Sequence, residues 1–133
     1  MTTYALDTNI ISYILKGDQN LIDRYRKEND AGNICKIPPI VYYEIKRGLL
    51  FSGATTKAKI FDGLCRQFDV GRMTIPVWNE AAQIYAANRH QGKTVEDADL
   101  LIAAFCTANN FVLVTNNTKH FDGIDGLKIE NWV

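Results

Sequence analysis

The chain has 133 residues, 47% hydrophobic and 23% charged, with 15 basic and 15 acidic side chains. That is one ordinary domain with enough apolar material for a real core, and it excludes both a disordered and a membrane-embedded chain. The longest wholly apolar run, Leu100 to Cys106, is far short of the ~18 residues a membrane span requires. The opening residues, Met1 to Asp7, carry neither a basic region nor an apolar signal core, so a cytoplasmic protein without membrane contact is expected. Cys35, Cys65 and Cys106 are odd in number and lack metal-ligand spacing. They read as small core residues in a reducing compartment.

In chain order, Thr3 to Leu6 is a short apolar strand running into Asp7-Thr8-Asn9. Asn9 is the expected cap of a first helix, with Ile10, Ile11, Ile14 and Leu15 on one stripe and Gly17 as its stop. A second helix covers about Asn20 to Asn29, and Asn33 to Ile37 is a second strand. Pro38-Pro39 opens a third helix, since the first turn needs no intrahelical N–H, and Glu44 lies inside it. A fourth helix runs from Thr56 to Phe68 and a third strand is expected at Met73 to Pro76. Helices follow at Glu80 to His90 and Glu96 to Asn109, then a wholly apolar strand at Phe111 to Thr115 and a fifth candidate at Leu127 to Trp132. Alternating strands and helices predict an α/β fold of three layers, with a mainly parallel sheet of four to five strands, in a single domain over 1–133.

Ligands of open parallel sheets bind beyond the carboxyl ends of the strands. This sequence delivers Asp7-Thr8-Asn9, Glu44, Glu96-Asp97-Ala98-Asp99 and Thr115-Asn116-Asn117 toward that end. Carboxylates gathered without a cation repel, and a hard divalent ion such as Mg²⁺ or Mn²⁺ relieves the repulsion while keeping waters for a substrate phosphate. Zero net charge argues against non-specific nucleic-acid binding. Setting Asp7, Glu44, Asp97 and Asp99 aside at a metal, however, leaves a basic remainder around an acidic pit. Each residue also has a structural reading. Asp7 can cap a helix, Glu44 can be a solvated acid beside Lys46 and Arg47, and Thr115-Asn116-Asn117 can be a turn. Asp97 and Asp99 stand about 200° apart on a helix, so one of them can instead serve the helix dipole.

Four segments resemble, in order, the motifs of PIN-domain ribonucleases of the VapC toxin kind. They are Leu6-Asp7-Thr8-Asn9-Ile10-Ile11, Tyr43-Glu44-Ile45-Lys46-Arg47-Gly48, Asp99-Leu100-Leu101-Ile102-Ala103-Ala104, and Leu113-Val114-Thr115-Asn116-Asn117-Thr118-Lys119-His120-Phe121. Ile129-Glu130-Asn131-Trp132 resembles the usual ending of the bacterial members. The resemblance implies a PIN-like α/β/α sandwich and an endoribonuclease with Asp7, Glu44 and Asp99 as catalytic, metal-holding acids. It implies Mg²⁺, with Mn²⁺ as a substitute, and tRNA or ribosomal RNA as substrate. It also implies a homodimer and a cognate VapB-type antitoxin that blocks the site. Thr8, Asn9, Thr115 and Asn117 are the expected substrate-positioning residues. Many PIN domains have Asp where this chain has Asn117, which weakens a second metal; Asp97 is the candidate to replace that charge. Lys119 and His120 are candidates for phosphate contact, and Lys46, Arg47, Arg89 and Lys93 for the RNA path. Two other readings compete: a non-cutting RNA-binding module, which would place bases where this chain has acids, and a phosphoacceptor receiver domain, which would place its Asp after a central strand and a Lys after a late one.

Overall fold

A computed structural model describes residues 1–133. Strand β1 (Thr3–Leu6) leads into helices α1 (Thr8–Leu15) and α2 (Gln19–Asp30). Strand β2 (Ile34–Lys36) is followed by α3 (Pro39–Ser52), α4 (Thr55–Phe68), α5 (Ile75–His90) and α6 (Asp97–Asn109). Strand β3 (Val112–Val114), a 3₁₀ turn at Thr118–Phe121 and strand β4 (Lys128–Glu130) complete the chain.

All three pairings in the four-stranded sheet are parallel, in the order β2-β1-β3-β4. Tyr4, Ala5 and Leu6 are consecutive and all buried. Because successive strand side chains point to opposite faces, β1 must be covered on both. The buried apolar residues form one continuous cluster in which Leu6, Ile10, Phe61, Ile102, Phe105 and Leu113 are almost wholly enclosed.

The register decides what meets at the sheet's carboxyl end. Leu6 pairs with Val114, so the next residues, Asp7 and Thr115, lie side by side. The main chain continues this alignment: Asp7 N–H donates to Val114 O at 2.9 Å, and Thr115 N–H to Glu130 O at 3.0 Å.

Two local expectations are corrected. Asp7, not Asn9, caps α1: its backbone is extended and its carboxylate accepts from Thr8 N–H. The residue leaving a strand already has the extended backbone that a cap needs, whereas Asn9 lies inside the first turn. No strand forms at Met73 to Pro76. Thr74 is the extended residue before α5, and Pro76 sits in that helix's first turn, where a missing N–H costs nothing. The additional parallel bridge forms instead between Ile37 and Val70. Helix α5 therefore starts five residues before the expected Glu80, and the sheet has four strands.

Candidate active site

Asp7 is 5% exposed, and its carboxylate is fixed from three sides. One oxygen, Oδ1, accepts from Thr8 N–H at 2.8 Å. The other, Oδ2, accepts from the Thr115 hydroxyl at 2.7 Å and the Asn9 amide at 3.3 Å. An isolated buried carboxylate is costly, and short hydrogen bonds to the charged form offset that cost. Asn9 is held in turn, since its carbonyl accepts from Asn116 N–H at 3.1 Å. The Asn117 N–H donates to the Thr115 hydroxyl at 3.0 Å. The chain after β3 is thereby laced to the chain after β1 around one acid.

Glu44 comes from α3, which Pro39 opens and Gly53 closes in a left-handed conformation. Thr8 links it to Asp7: its N–H holds Asp7, and its hydroxyl donates to Glu44 Oε1 at 2.8 Å. The other Glu44 oxygen lies 4.0 Å from Arg47, which is largely exposed, a weak pair.

Asp99 lies in the first turn of α6 with its side chain 20% exposed. Burial pushes its carboxyl above the ordinary Asp value. Asp7, Glu96 and Glu44 push it further up, while His120, with Nδ1 at 3.3 Å, pulls it down. Three separate elements thus bring carboxylates near enough to feel one another's charge. Glu96 is a fourth acid, named in the sequence only as part of the Glu96-Asp97-Ala98-Asp99 segment and given no role of its own. Its place three residues before Asp99, one helical turn away, was the available signal.

The remaining expected residues divide. Thr115 is wholly buried and Asn9 spends both ends of its amide inside the chain. Both hydrogen-bond to the Asp7 carboxylate, Thr115 from a fully buried position and Asn9 from a half-buried one. Thr8 bridges two acids. Asn117 is exposed and contributes its backbone N–H. Asp97 does not join the Asp99 cleft: it lines a neighbouring one with Tyr85, Asn88 and Arg89. Beside Asp99 is a cavity of about 360 Å³ walled by Lys93, Thr94, Glu96, Lys119, His120 and Asp122. On the Glu44 side a groove of about 260 Å³ runs between α1, α3 and α4, past Leu15, Ile45 and Leu49.

The donor set suits a hard cation. Cys106 is buried, and its thiol is pushed up, mainly by burial and then by Asp7. What remains for a metal is carboxylate oxygen. No trio of acid, thiol and imidazole groups converges at ligand distance on one point. The fit is to an ion held by one or two carboxylates plus water, the ordinary way Mg²⁺ is bound.

Comparison with known proteins decides the family. The PIN-domain model matches residues 4–127. The chain belongs to the PIN-domain family. A Haemophilus influenzae protein named ribonuclease VapC2 is 30% identical over 141 residues, covering all of both chains. The Shigella flexneri tRNA(fMet)-specific endonuclease VapC is 28% identical over 133 residues, covering 99% of each. In structure, this PIN domain matches a chain of the DNA-bound VapBC complex of Salmonella typhimurium with a TM-score of 0.91, at 25% identity and full coverage of both. It is a member of the VapC ribonuclease branch, and PIN-domain nucleases are in general metal-dependent. No helix is long and apolar enough to cross a membrane.

Proposed function

We propose that this PIN domain is the toxin of a toxin–antitoxin pair: an endoribonuclease that hydrolyses RNA phosphodiester bonds, tRNA first among its substrates, at the site formed by Asp7, Glu44 and Asp99. The observation that carries this reading is that Asp99, at the head of α6, lies near enough to feel the charge of Asp7 after β1 and Glu44 on α3, and lines a cleft with Lys93, Lys119 and His120 as well as the acids Glu96 and Asp122. Acids alone repel a phosphate and bases alone would only bind one; the juxtaposition suits cutting.

Asp7 and Asp99 would hold the ion, with Glu44 at its edge; Mg²⁺ is the proposed metal and Mn²⁺ a substitute. When bound, such an ion supplies Lewis acidity toward the phosphate and lowers the pKa of a water. The chain's own residues do the rest. Thr115, Asn9 and Thr8 fix the Asp7 carboxylate in one orientation, so no reorganisation is needed during reaction. Lys93 and Lys119 neutralise the phosphate oxygens as the RNA backbone enters. Glu44, tied on one oxygen by Thr8, has only the weak Arg47 contact on the other, which would accept the proton of the attacking water.

The partner is a VapB-type antitoxin. Its proposed seat is the groove between α1, α3 and α4, which includes Glu44 and is lined by the apolar Leu15, Ile45 and Leu49. An inserted basic side chain would pair with the acids and close the site. A homodimer is proposed on the exposed Ile75 and Trp78 of α5.

Brief expression in cells tests the reading. Wild type is expected to arrest growth and leave discrete new RNA ends, Asp99→Asn at equal level to do neither, and co-expressed antitoxin to restore growth. Arrest by Asp99→Asn would show that toxicity comes from binding and not from cutting.

A further inference from the structure

The acids and their basic wall deal with the phosphate of the RNA and leave its bases unread. A second cleft, of about 310 Å³, lies between the last turns of α5 and the first turn of α6. It adjoins the Asp99 cleft: Lys93, Thr94, Val95 and Glu96 line both. Asn88 lies at its floor, 6% exposed, and its side-chain amide has no hydrogen-bond partner in the chain. Yet no fully enclosed side-chain polar atom is left unpaired, so this amide must open on a cleft. Asn88 also borders a smaller cleft of about 160 Å³, but only the larger one shares lining residues with the Asp99 cleft.

The walls have the chemistry of base recognition. Tyr85 is 48% exposed; the Arg89 guanidinium lies 5.3 Å from its ring centroid and donates to its hydroxyl at 3.3 Å. Together they present flat surface of the kind on which single-stranded bases stack. Asp97 is exposed, with no ion pair and no hydrogen bond, and faces this cleft. Asp97 and Glu96 set two carboxylates against Arg89 and Lys93 in the lining, so this cleft has no basic excess with which to hold a phosphate. Lys93, at the junction, accepts one: its ammonium rests against Gly123, whose positive φ of 80° brings the backbone close and whose missing Cβ leaves room for it.

We propose that this cleft holds one unstacked base of the RNA substrate, a few ångströms of backbone away from the bond that is cut. Tyr85 and Arg89 form its stacking face, Asn88 and Asp97 read its edge, and Lys93 grips the phosphate between that base and the scissile bond. A carboxylate only accepts hydrogen bonds, so the preferred base presents adjacent N–H donors, as guanine does with N1–H and its amino group. The inference rests on the nuclease reading and gives Asp97 a part in specificity instead of metal binding.

Two arms test it on the full chain. In cleavage, short RNAs carry guanine, uracil or an abasic sugar at each position flanking the cut. Wild type should prefer guanine at one position, and Asp97→Asn and Tyr85→Ala should each raise KM for that substrate about tenfold and level it with the abasic one. Equal losses on all substrates, or a fall in kcat with KM unchanged for Asp97→Asn, would overturn the proposal. In binding, anisotropy of the same labelled RNAs with Asp99→Asn, without metal, should show the same preference, and Tyr85→Ala on that background should erase it. Absence of any base preference there refutes the cleft. A preference in binding with no cleavage by wild type would uphold the cleft and refute the nuclease reading.

Discussion

Thr115→Val removes the shortest hydrogen bond to Asp7 while keeping the shape of the side chain. The Thr115 hydroxyl is wholly buried and lies 2.7 Å from Asp7 Oδ2. A hydrogen bond to a charged group contributes about 1.5–3 kcal/mol, and here the Oδ2 atom left behind keeps one weaker donor, Asn9 at 3.3 Å, while Oδ1 retains Thr8 N–H. A loss of roughly 2 kcal/mol is therefore expected. For 133 residues, an unfolding entropy of roughly 2.1 cal/mol/K per residue turns this into a fall in Tm of about 7 °C. Loosening an acid from its supporting donor should also weaken metal activation about 10- to 100-fold. Thr115→Ser separates the two effects: it gives up a buried methyl, and hence some stability, but keeps the hydroxyl and the metal response. The assays are thermal melts and RNA cleavage titrated with Mg²⁺. A Val variant with the wild-type metal midpoint would refute the role given to this hydroxyl.

Other predictions follow from the same geometry. Asp99→Asn should abolish cleavage, yet at pH 7 without metal it should melt no lower than wild type. Asp99's carboxyl is raised, first by burial and then by Asp7, Glu96 and Glu44, so its contribution to stability is greatest below the ordinary Asp pKa of about 4 and is lost as pH rises through the folded value. Asn escapes that loss, so the advantage of the variant should grow from acid to neutral pH; a drop of several degrees at pH 7 would recast Asp99 as a structural cap. Cleavage by a water held among carboxylates should leave a 5′-phosphate and a 3′-hydroxyl, and one 2′-deoxy sugar at the cut should not protect the substrate. Ligation-based end mapping would contradict this by finding a 2′,3′-cyclic phosphate. Gly71→Ala places a methyl inside van der Waals contact with the buried Phe105 ring, which should cost about 1–3 kcal/mol and lower the urea midpoint without changing the slope.

Much of this arrangement is written locally. Val112, Leu113 and Val114 form a continuous apolar run because β3 is inside the sheet, and Asp7 stands out because an acid ends a strand. The expected strand at Met73 to Pro76 shows where local reading fails: the β-branched pair Thr74-Ile75 also suits an extended helix entry, with Pro76 in the first turn. The part played by Thr115 was hidden for a different reason. It depends on the pairing of Leu6 with Val114, across more than a hundred residues, and no nearby residue signals it. The division between Asp97 and Asp99 was half legible, since their helical separation forbade one shared role, but which cleft each faced depended on the packing of α5 against α6.

The central claim is that RNA is cut by a metal held among Asp7, Glu44 and Asp99. Its most direct test is cleavage of a defined tRNA by the purified chain, first stripped with EDTA and then titrated with Mg²⁺, Mn²⁺ or Ca²⁺. Activity should vanish with the chelator, return with Mg²⁺ or Mn²⁺ and much less with Ca²⁺, and fail to return at any metal concentration in Asp7→Asn and Asp99→Asn. Undiminished cutting in the chelator, or full activity in those variants, would contradict it.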